Sequence, residues 1–297
     1  DSLDALLFGR ETLPTRALTL LPSINLPASG YAILRATPPD ATETDEGQQY
    51  LLLKYGPHGA GHGHPDKLNL ILYAYGQRLS PDLGTPGYGL DLFESWYRQT
   101  VCHNTVTLDG RSQPEATGQL RAFQSTGEFQ VADATVTWGA EAAGYQGVTL
   151  RRIILVRPEY FLDVFLVQAP QPRRIDWIYH NAGAITTALP LSAYPGVQDD
   201  GEGYGHLAAA QKTATDEAFT VDWQCASAGL RLFVAGAAHT EVVTGLTPGN
   251  PPTDQADTLI NRRHAPATVY LACFHPYQKT PQVHAVEWLG SDLLGVG

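Results

Sequence analysis

Between Tyr55 and Asn104 the chain sets His62, His64, Asp82 and His103 into a short stretch of otherwise apolar, β-prone sequence. Two imidazoles separated by one residue, then a carboxylate and a third imidazole, offer the nitrogen and oxygen donors of a metal site. Two histidines, one carboxylate and a position left for water fit a tetrahedral zinc ion. In an extended segment, residues i and i+2 point to the same face, so His62 and His64 are expected to look into one space. Glycines 59, 61 and 63 clear side chains from around them. Asp82 follows the apolar run Leu68–Tyr75 and the turn signal Gly76-Gln77, and a hairpin there returns it toward His64. His103 is expected to open the next strand and close the set, and its neighbour Cys102, facing the other way, stays out of it.

The bland alternative is a group of surface or core histidines with ordinary hydrogen bonds. It suffices for any one of them, but clustering around a hairpin favours a metal. A glycine-rich HxH also begins a cupin, which should place a glutamate soon after the second histidine. Leu68, Asn69 and Leu70 occupy that region, so a cupin is set aside. Weaker candidates flank the cluster. Tyr88, Tyr97 and Arg98 could orient a sugar carboxylate, arginine by paired hydrogen bonds, although Trp96 and Tyr97 singly read as core aromatics. Tyr179-His180-Asn181 ends a strand, and His180 either lines a cleft or is a structural histidine. Arg262 and Arg263 read as a solvated pair, and Asp109-Gly110 as a turn.

The elements that must position these groups read almost entirely as strands. YAILRA from Tyr31, QYLLLKYG, LNLILYAYG, NTVTLDG, GEFQVADATVTW, VTLRRIILV and YFLDVFLVQA follow one another, the last two flanking a hairpin turn at Arg157-Pro158-Glu159. Further strands are expected at Phe219–Trp223, Leu230–Ala235, Thr268–Phe274 and Val283–Leu289. Frequent strands with turn signals between them predict an all-β fold of stacked antiparallel sheets, a large multi-sheet β-sandwich. Three stretches read as loops: acidic Thr37–Gln48, the Gly-rich and mobile-looking Tyr194–Asp216, and Thr244–Pro266. The opening DSLDALLFG places Leu3, Leu6 and Leu7 on one helical face with Gly9 as a stop. It reads as a short helical remnant, followed by a linker spaced by Pro14, Pro22 and Pro27. The expected division is residues 1–26 as the end of an upstream helical domain plus linker, and 27–297 as the sandwich.

Bulk properties bound the rest. A chain of 297 residues with 43% hydrophobic and 16% charged residues can bury a large core. A net charge of −11 argues against nucleic acid as a partner. A polyanionic sugar stays compatible if cations are focused in a cleft. The 3 cysteines, Cys102, Cys225 and Cys273, cannot form a disulfide framework. No apolar run is long enough to span a membrane. The chain begins at Asp1 and contains 0 methionines, so a segment of a longer protein is expected, with any signal peptide outside it.

The run GHGHPDKLNLILYAYGQRLSPDLGTPGYG followed by CHNTVTLDGRSQ resembles the heparinase II/III-like polysaccharide lyases, in particular the C-terminal β-sandwich of their alginate-cleaving members. LRRIILVRPEYFLDVF and NRRHAPATVYLACF extend the similarity from about Leu21 to near the end. The resemblance implies a supersandwich paired with an upstream (α/α) toroid, and cleavage of uronic-acid polymers by β-elimination. Alginate or its oligomers is the first expected substrate, and heparin or heparan-type chains the second. It implies zinc ligation by His64, Asp82 and His103, the zinc holding the sandwich edge in shape. His62 then faces the substrate beside the metal as the catalytic candidate, and Tyr88 lies where alginate-cleaving members place a substrate-contacting tyrosine. Arg98 and His180, singled out above by residue type alone, join Tyr88 as substrate-binding candidates. The family's main base and acid come mostly from the toroid, and no residue here matches them. A secreted or periplasmic enzyme is implied, or a cytoplasmic one if it is oligosaccharide-specific, and a homodimer stays open. The competing class is a non-catalytic, zinc-stabilised sandwich that binds acidic polysaccharide.

Overall fold

A computed structural model describes residues 7, 9, 20–37, 48–225 and 227–288, which form antiparallel sheets joined by short helical turns. The first five strands make a meander: β1 (Ile24–Leu26), β2 (Tyr31–Ala36), β3 (Gln49–Lys54), β4 (Leu70–Ala74) and β5 (Gln77–Ser80). Alternation decides which way it faces. Leu51, Leu53, Leu70 and Leu72 are buried on one side, while Tyr50, Leu52, Ile71 and Tyr73 lie half-buried on the other.

The second sheet has twelve strands. They are β6 (Val106–Leu108), β7 (Gln119–Ser125), β8 (Gln130–Thr137), β9 (Thr149–Val156), β10 (Phe161–Asn181), β11 (Ala184–Thr187), β12 (Ser192–Ala193), β13 (Ala208–Thr215), β14 (Phe219–Gln224), β15 (Gly229–Val234), β16 (Thr240–Pro248) and β17 (Gln255–Tyr277). The two longest, β10 and β17, pair with each other from Phe161↔Phe274 to Asn181↔Asp257. Their register slips between Gln168 and Arg173, where Pro170 and Pro172 bring no N–H donors and Pro266 lies on the facing strand. At that break the strands change neighbours. β10 passes from β9 to β6, and β17 passes from β16 to β15.

The apolar face of the meander packs on Ala134, Leu150, Ile154, Phe161 and Phe165 of the large sheet. Each fully buried leucine there contributes roughly 1.5–3 kcal/mol. A second core holds the irregular segment before β6 in place: Phe93, Trp96, Tyr97, Val101 and Cys102 pack on Ile178, Val243 and Ile260. That segment carries most of the candidate residues.

The all-β sandwich is as expected, and four local readings are corrected. Thr244–Pro266 is the end of β16 and half of β17, with only a short turn between them. Arg262 and Arg263 are not a solvated pair. They are 6% and 5% exposed, Arg262 clamped to Asp176 at 2.8 Å and to Asp200 at 2.9 Å. Tyr194–Asp216 contains β13 and two 3₁₀ turns, anchored by the buried Tyr204 hydroxyl donating to Asp176 at 2.5 Å. Residues 283–288 form no strand. In addition, β1 begins ahead of the boundary expected at residue 27, so the sheet takes in part of the expected linker. The helix expected over Asp1–Gly9 and the tip of the acidic loop within Thr37–Gln48 lie largely outside the described residues. No helix among the described residues is long and apolar enough to cross a membrane.

Candidate metal centre

Leaving β3, the chain runs through Gly59, whose φ of 96° is left-handed, into a 3₁₀ turn at Ala60–His62. It closes on itself at Gly63, where a Cβ would lie 2.0 Å from the carbonyl oxygen of His58. Only glycine fits that approach. His62 therefore ends the turn and His64 follows it, instead of both lying on one face of a strand, and they meet different partners. His62 is exposed; His64 turns inward. Asp82 follows β5 and returns to the cluster as the hairpin reading expected. His103 ends a second 3₁₀ turn, Thr100–Cys102, just before β6.

The structure brings three of the expected ligands together. The donor atoms of His64, Asp82 and His103 all lie within 4.8 Å of one another, a geometry that could hold a metal ion. The imidazoles of His64 and His103 have centroids 5.3 Å apart. The state of His103 shows that the donor set fits a metal. Its side chain is buried, yet neither Nδ1 nor Nε2 has a hydrogen-bond partner. The Asp82 carboxylate is 3.7 Å away, beyond a hydrogen bond. Buried polar groups are nearly always paired, and a buried imidazole with both nitrogens orphaned fits a donor set built for a metal ion. Two imidazole nitrogens and one carboxylate oxygen are the donor types that would suit zinc here.

Electrostatics prepare the same donors. Burial, with His103 beside it, lowers the pKa of His64 to about 4, leaving the neutral imidazole that metals bind. Burial alone would raise the pKa of Asp82. His103, the Gly84 N–H and Lys54 outweigh it, so the pKa falls and the carboxylate stays ionised. Oδ1 of Asp82 accepts from Gly84 N at 2.8 Å, and Oδ2 accepts from Asn69 Nδ2 at 2.9 Å. Asn69 Oδ1 in turn accepts from the backbone N–H of Asn104 at 2.9 Å. One asparagine thus ties the Asp82 arm to the His103 arm.

Outside this trio lies a second, wetter pair. His62 Nδ1 and the Tyr88 hydroxyl are 2.8 Å apart, and Tyr88 is 65% exposed. Phe93 joins the two levels, its ring 5.3 Å from Tyr88 and 6.1 Å from His64. Aromatic edges thus run from an exposed imidazole–phenol pair down to the trio, of which His103 is fully buried. Arg98 lies over the Phe93 ring at 5.8 Å, but its guanidinium donates to Glu94 at 3.1 Å.

His180 is not a cleft residue. It is buried, its Nε2–H donates to the Val101 carbonyl at 2.7 Å, and its Nδ1 accepts from the Thr258 hydroxyl at 2.7 Å. Both nitrogens are used and burial lowers its pKa to about 4, so it stays neutral and structural. Trp96 and Tyr97 are the core aromatics of the plain reading, with Trp96 Nε1 donating to the Pro248 carbonyl at 3.1 Å and the Tyr97 hydroxyl to that of Gly249. Cys102 is buried in the second core and stands apart from the ligand trio; burial raises its thiol pKa well above the usual value. Sequence reasoning missed Asn69, Asn104 and Phe93. Asn69 had a visible signal, a polar residue inside an apolar run, whereas Phe93 had none.

Comparison with known proteins finds relatives of the chain. A family model described as heparinase II/III-like, C-terminal, matches residues 19–261. An alginate lyase of Stenotrophomonas maltophilia is 32% identical over 206 residues, covering 60% of this chain and 26% of that enzyme. An exo-oligoalginate lyase of Saccharophagus degradans is 31% identical, covering 54% of this chain and 25% of that enzyme. A heparin-sulfate lyase of Bacteroides stercoris is 30% identical, covering 46% of this chain and 19% of that enzyme. The chain thus spans about a quarter of the length of the alginate-cleaving relatives. Among solved structures, a heparinase III superposes with a TM-score of 0.67 at 19% identity, covering 93% of this chain and 38% of that one. That likeness establishes the shared fold.

Proposed function

The chain belongs to the heparinase II/III-like family through its C-terminal region, and from that premise we propose that it is the β-sandwich part of a lyase cleaving uronic-acid-containing polysaccharide by β-elimination. In this reading His64, Asp82 and His103 hold a structural zinc. The exposed His62–Tyr88 pair faces the substrate, and catalysis is shared with an upstream helical toroid. The observation that carries the proposal is the hydrogen bond between the His62 imidazole and the Tyr88 hydroxyl, at the surface directly outside the ligand trio.

β-Elimination removes the C5 proton of the uronate, breaks the C4–O4 bond and forms a C4–C5 double bond, while the departing O4 gains a proton. Each transfer needs a positioned group, and an imidazole or a phenol serves either purpose. Negative charge that develops on the C6 carboxylate must be stabilised. With Nδ1 turned to Tyr88, the other nitrogen of His62 is the atom left to meet a substrate oxygen or relay a proton. His64, Asp82 and His103 would hold the zinc, which would supply rigidity: one nitrogen of His103 and the half-buried Asp82 carboxylate would gain a partner, fixing the floor beneath Phe93 and Tyr88. Arg98 can reach a sugar carboxylate by leaving Glu94, an exposed partner worth little.

Alginate is the first substrate proposed, because the relatives named as alginate and oligoalginate lyases match longer stretches than the heparin-sulfate lyases. A polymer substrate accords with a secreted or periplasmic location. The test is ultraviolet absorbance of the new double bond during incubation with alginate, heparan sulfate, hyaluronan and chondroitin, using this chain alone and joined to the segment preceding it. Rising absorbance on alginate from the joined protein is expected. Binding of these polymers with no absorbance from either protein would instead identify a non-catalytic module.

A further inference from the structure

In β9 the residues Leu150, Ile154 and Val156 point into the core, and Arg152 takes the same inward row where an apolar side chain is called for. Its guanidinium is fully buried. Nε and Nη2 bind the Asp163 carboxylate on β10 at 2.9 and 2.6 Å, and the group lies 4.8 Å from the Phe165 ring centre. The remaining nitrogen, Nη1, donates to two backbone carbonyls, Leu68 at 2.6 Å and Asn104 at 2.5 Å. These carbonyls belong to different segments, and each adjoins one arm of the metal centre. Leu68 precedes Asn69, whose amide holds Asp82, and Asn104 follows His103 directly. Leu68 also has a φ of 61°, a left-handed conformation that a leucine rarely adopts. Its own N–H donates to the Lys54 carbonyl at 2.8 Å, and Arg152 fixes its other side.

A lone buried ion pair is weak evidence for stability, since well-packed apolar residues often replace one without loss. The Arg152–Asp163 pair is distinguished by where its spare donor goes. We propose that Arg152 is a positioning residue for the metal centre, holding the Asp82 and His103 arms at a fixed separation through the Leu68 and Asn104 carbonyls, with Asp163 orienting the guanidinium. The inference rests on the metal reading given above. Its neighbour supplies the control: Arg151 makes the same two-toothed pair with Asp133, at 2.9 and 2.8 Å, on the opposite face of the strand.

The test is Zn²⁺ affinity, measured by competition with a chromophoric chelator, alongside the melting temperature of the metal-free protein. The double variant Arg152→Met/Asp163→Leu removes the buried pair together, so no charge is stranded. We expect Zn²⁺ binding about 10- to 100-fold weaker, the usual effect of losing a group that orients ligands, in a metal-free protein that still folds cooperatively but melts lower, because the Leu68 and Asn104 carbonyls lose their donor. The control Arg151→Met/Asp133→Leu should keep parental affinity. Parental Zn²⁺ affinity in the Arg152/Asp163 variant overturns the proposal. Should that variant fail to fold, Arg152→Lys retains the charge beside Asp163, but one ammonium cannot span the carboxylate and both carbonyls. Weakened Zn²⁺ binding in it supports the role, and parental binding overturns it. A parent protein that takes up no Zn²⁺ overturns the metal reading itself, before any variant is made, so the two failures are distinguished.

Discussion

His103 keeps two nitrogens idle in a buried site, and each unmet polar group there costs about 1–3 kcal/mol. Loading with zinc should therefore raise the melting temperature of the parent, and His64→Ala should abolish both the uptake and the rise. Unchanged metal content in His64→Ala would remove the trio as drawn. Asn69→Ala leaves Asp82 with one fewer donor and the Asn104 N–H with no acceptor, so weaker metal binding and a loss of about 1–3 kcal/mol are expected by denaturant titration. Acid should act in a definite direction on the metal-free protein. The pKa values of His64 and His180 fall from 6.5 to about 4 on folding. Between those values the unfolded chain binds more protons, so stability is full above about pH 6.5 and declines toward about pH 4. A denaturation midpoint that stays level across that window would contradict the burial of these imidazoles. The clustering of His64, Asp82 and His103 was legible because residue type and the hairpin between Leu68 and Asp82 pointed to a four-group cluster with His62, and the family resemblance singled out these three. The buried role of His180 was not, because its partners Val101 and Thr258 come from distant segments.

At the scale of elements, the turn from Gly59 to Gly63 decides which histidine joins the inner trio and which stays at the surface. Gly63→Ala would drive a Cβ into the His58 carbonyl, so it should lower zinc affinity and stability together, read by metal titration and thermal melting. Parental values for both would show that the turn is not needed to aim His64. Strand alternation could not reveal this, because a 3₁₀ turn breaks the i, i+2 rule on which the sequence reading relied. β17 teaches a related point. Its start, with Asn261, Arg262 and Arg263, carries the polarity of a loop and yet runs through the interior. Arg262 is tolerated there only because Asp176 and Asp200 arrive from other elements, pairings that no local window contains. Arg262→Ala leaves those carboxylates to the Tyr204 and Tyr194 hydroxyls and the more distant Arg174, and should cost up to about 3–5 kcal/mol. The strands of the meander, by contrast, were legible from leucine alternation alone.

Across the whole molecule, β10 and β17 tie the halves of the large sheet together, while the meander and the segment before β6 carry the candidate site on its surface. The antiparallel architecture followed from strand frequency and turn signals. The exchange of neighbours at the proline-rich break depends on three-dimensional pairing and was not readable beforehand. In the proposed reading the sandwich would offer one wall of a cleft, and at a net charge of −11 the cations that draw a polyanion would come in part from what faces it. The most direct test compares alginate turnover by the joined sandwich–toroid protein with that of its His62→Ala variant, with zinc measured on the same samples. The account predicts that double-bond formation falls about 100-fold or more while zinc content is unchanged, the scale expected for loss of a proton-transfer group. Undiminished turnover in the zinc-loaded variant would contradict it.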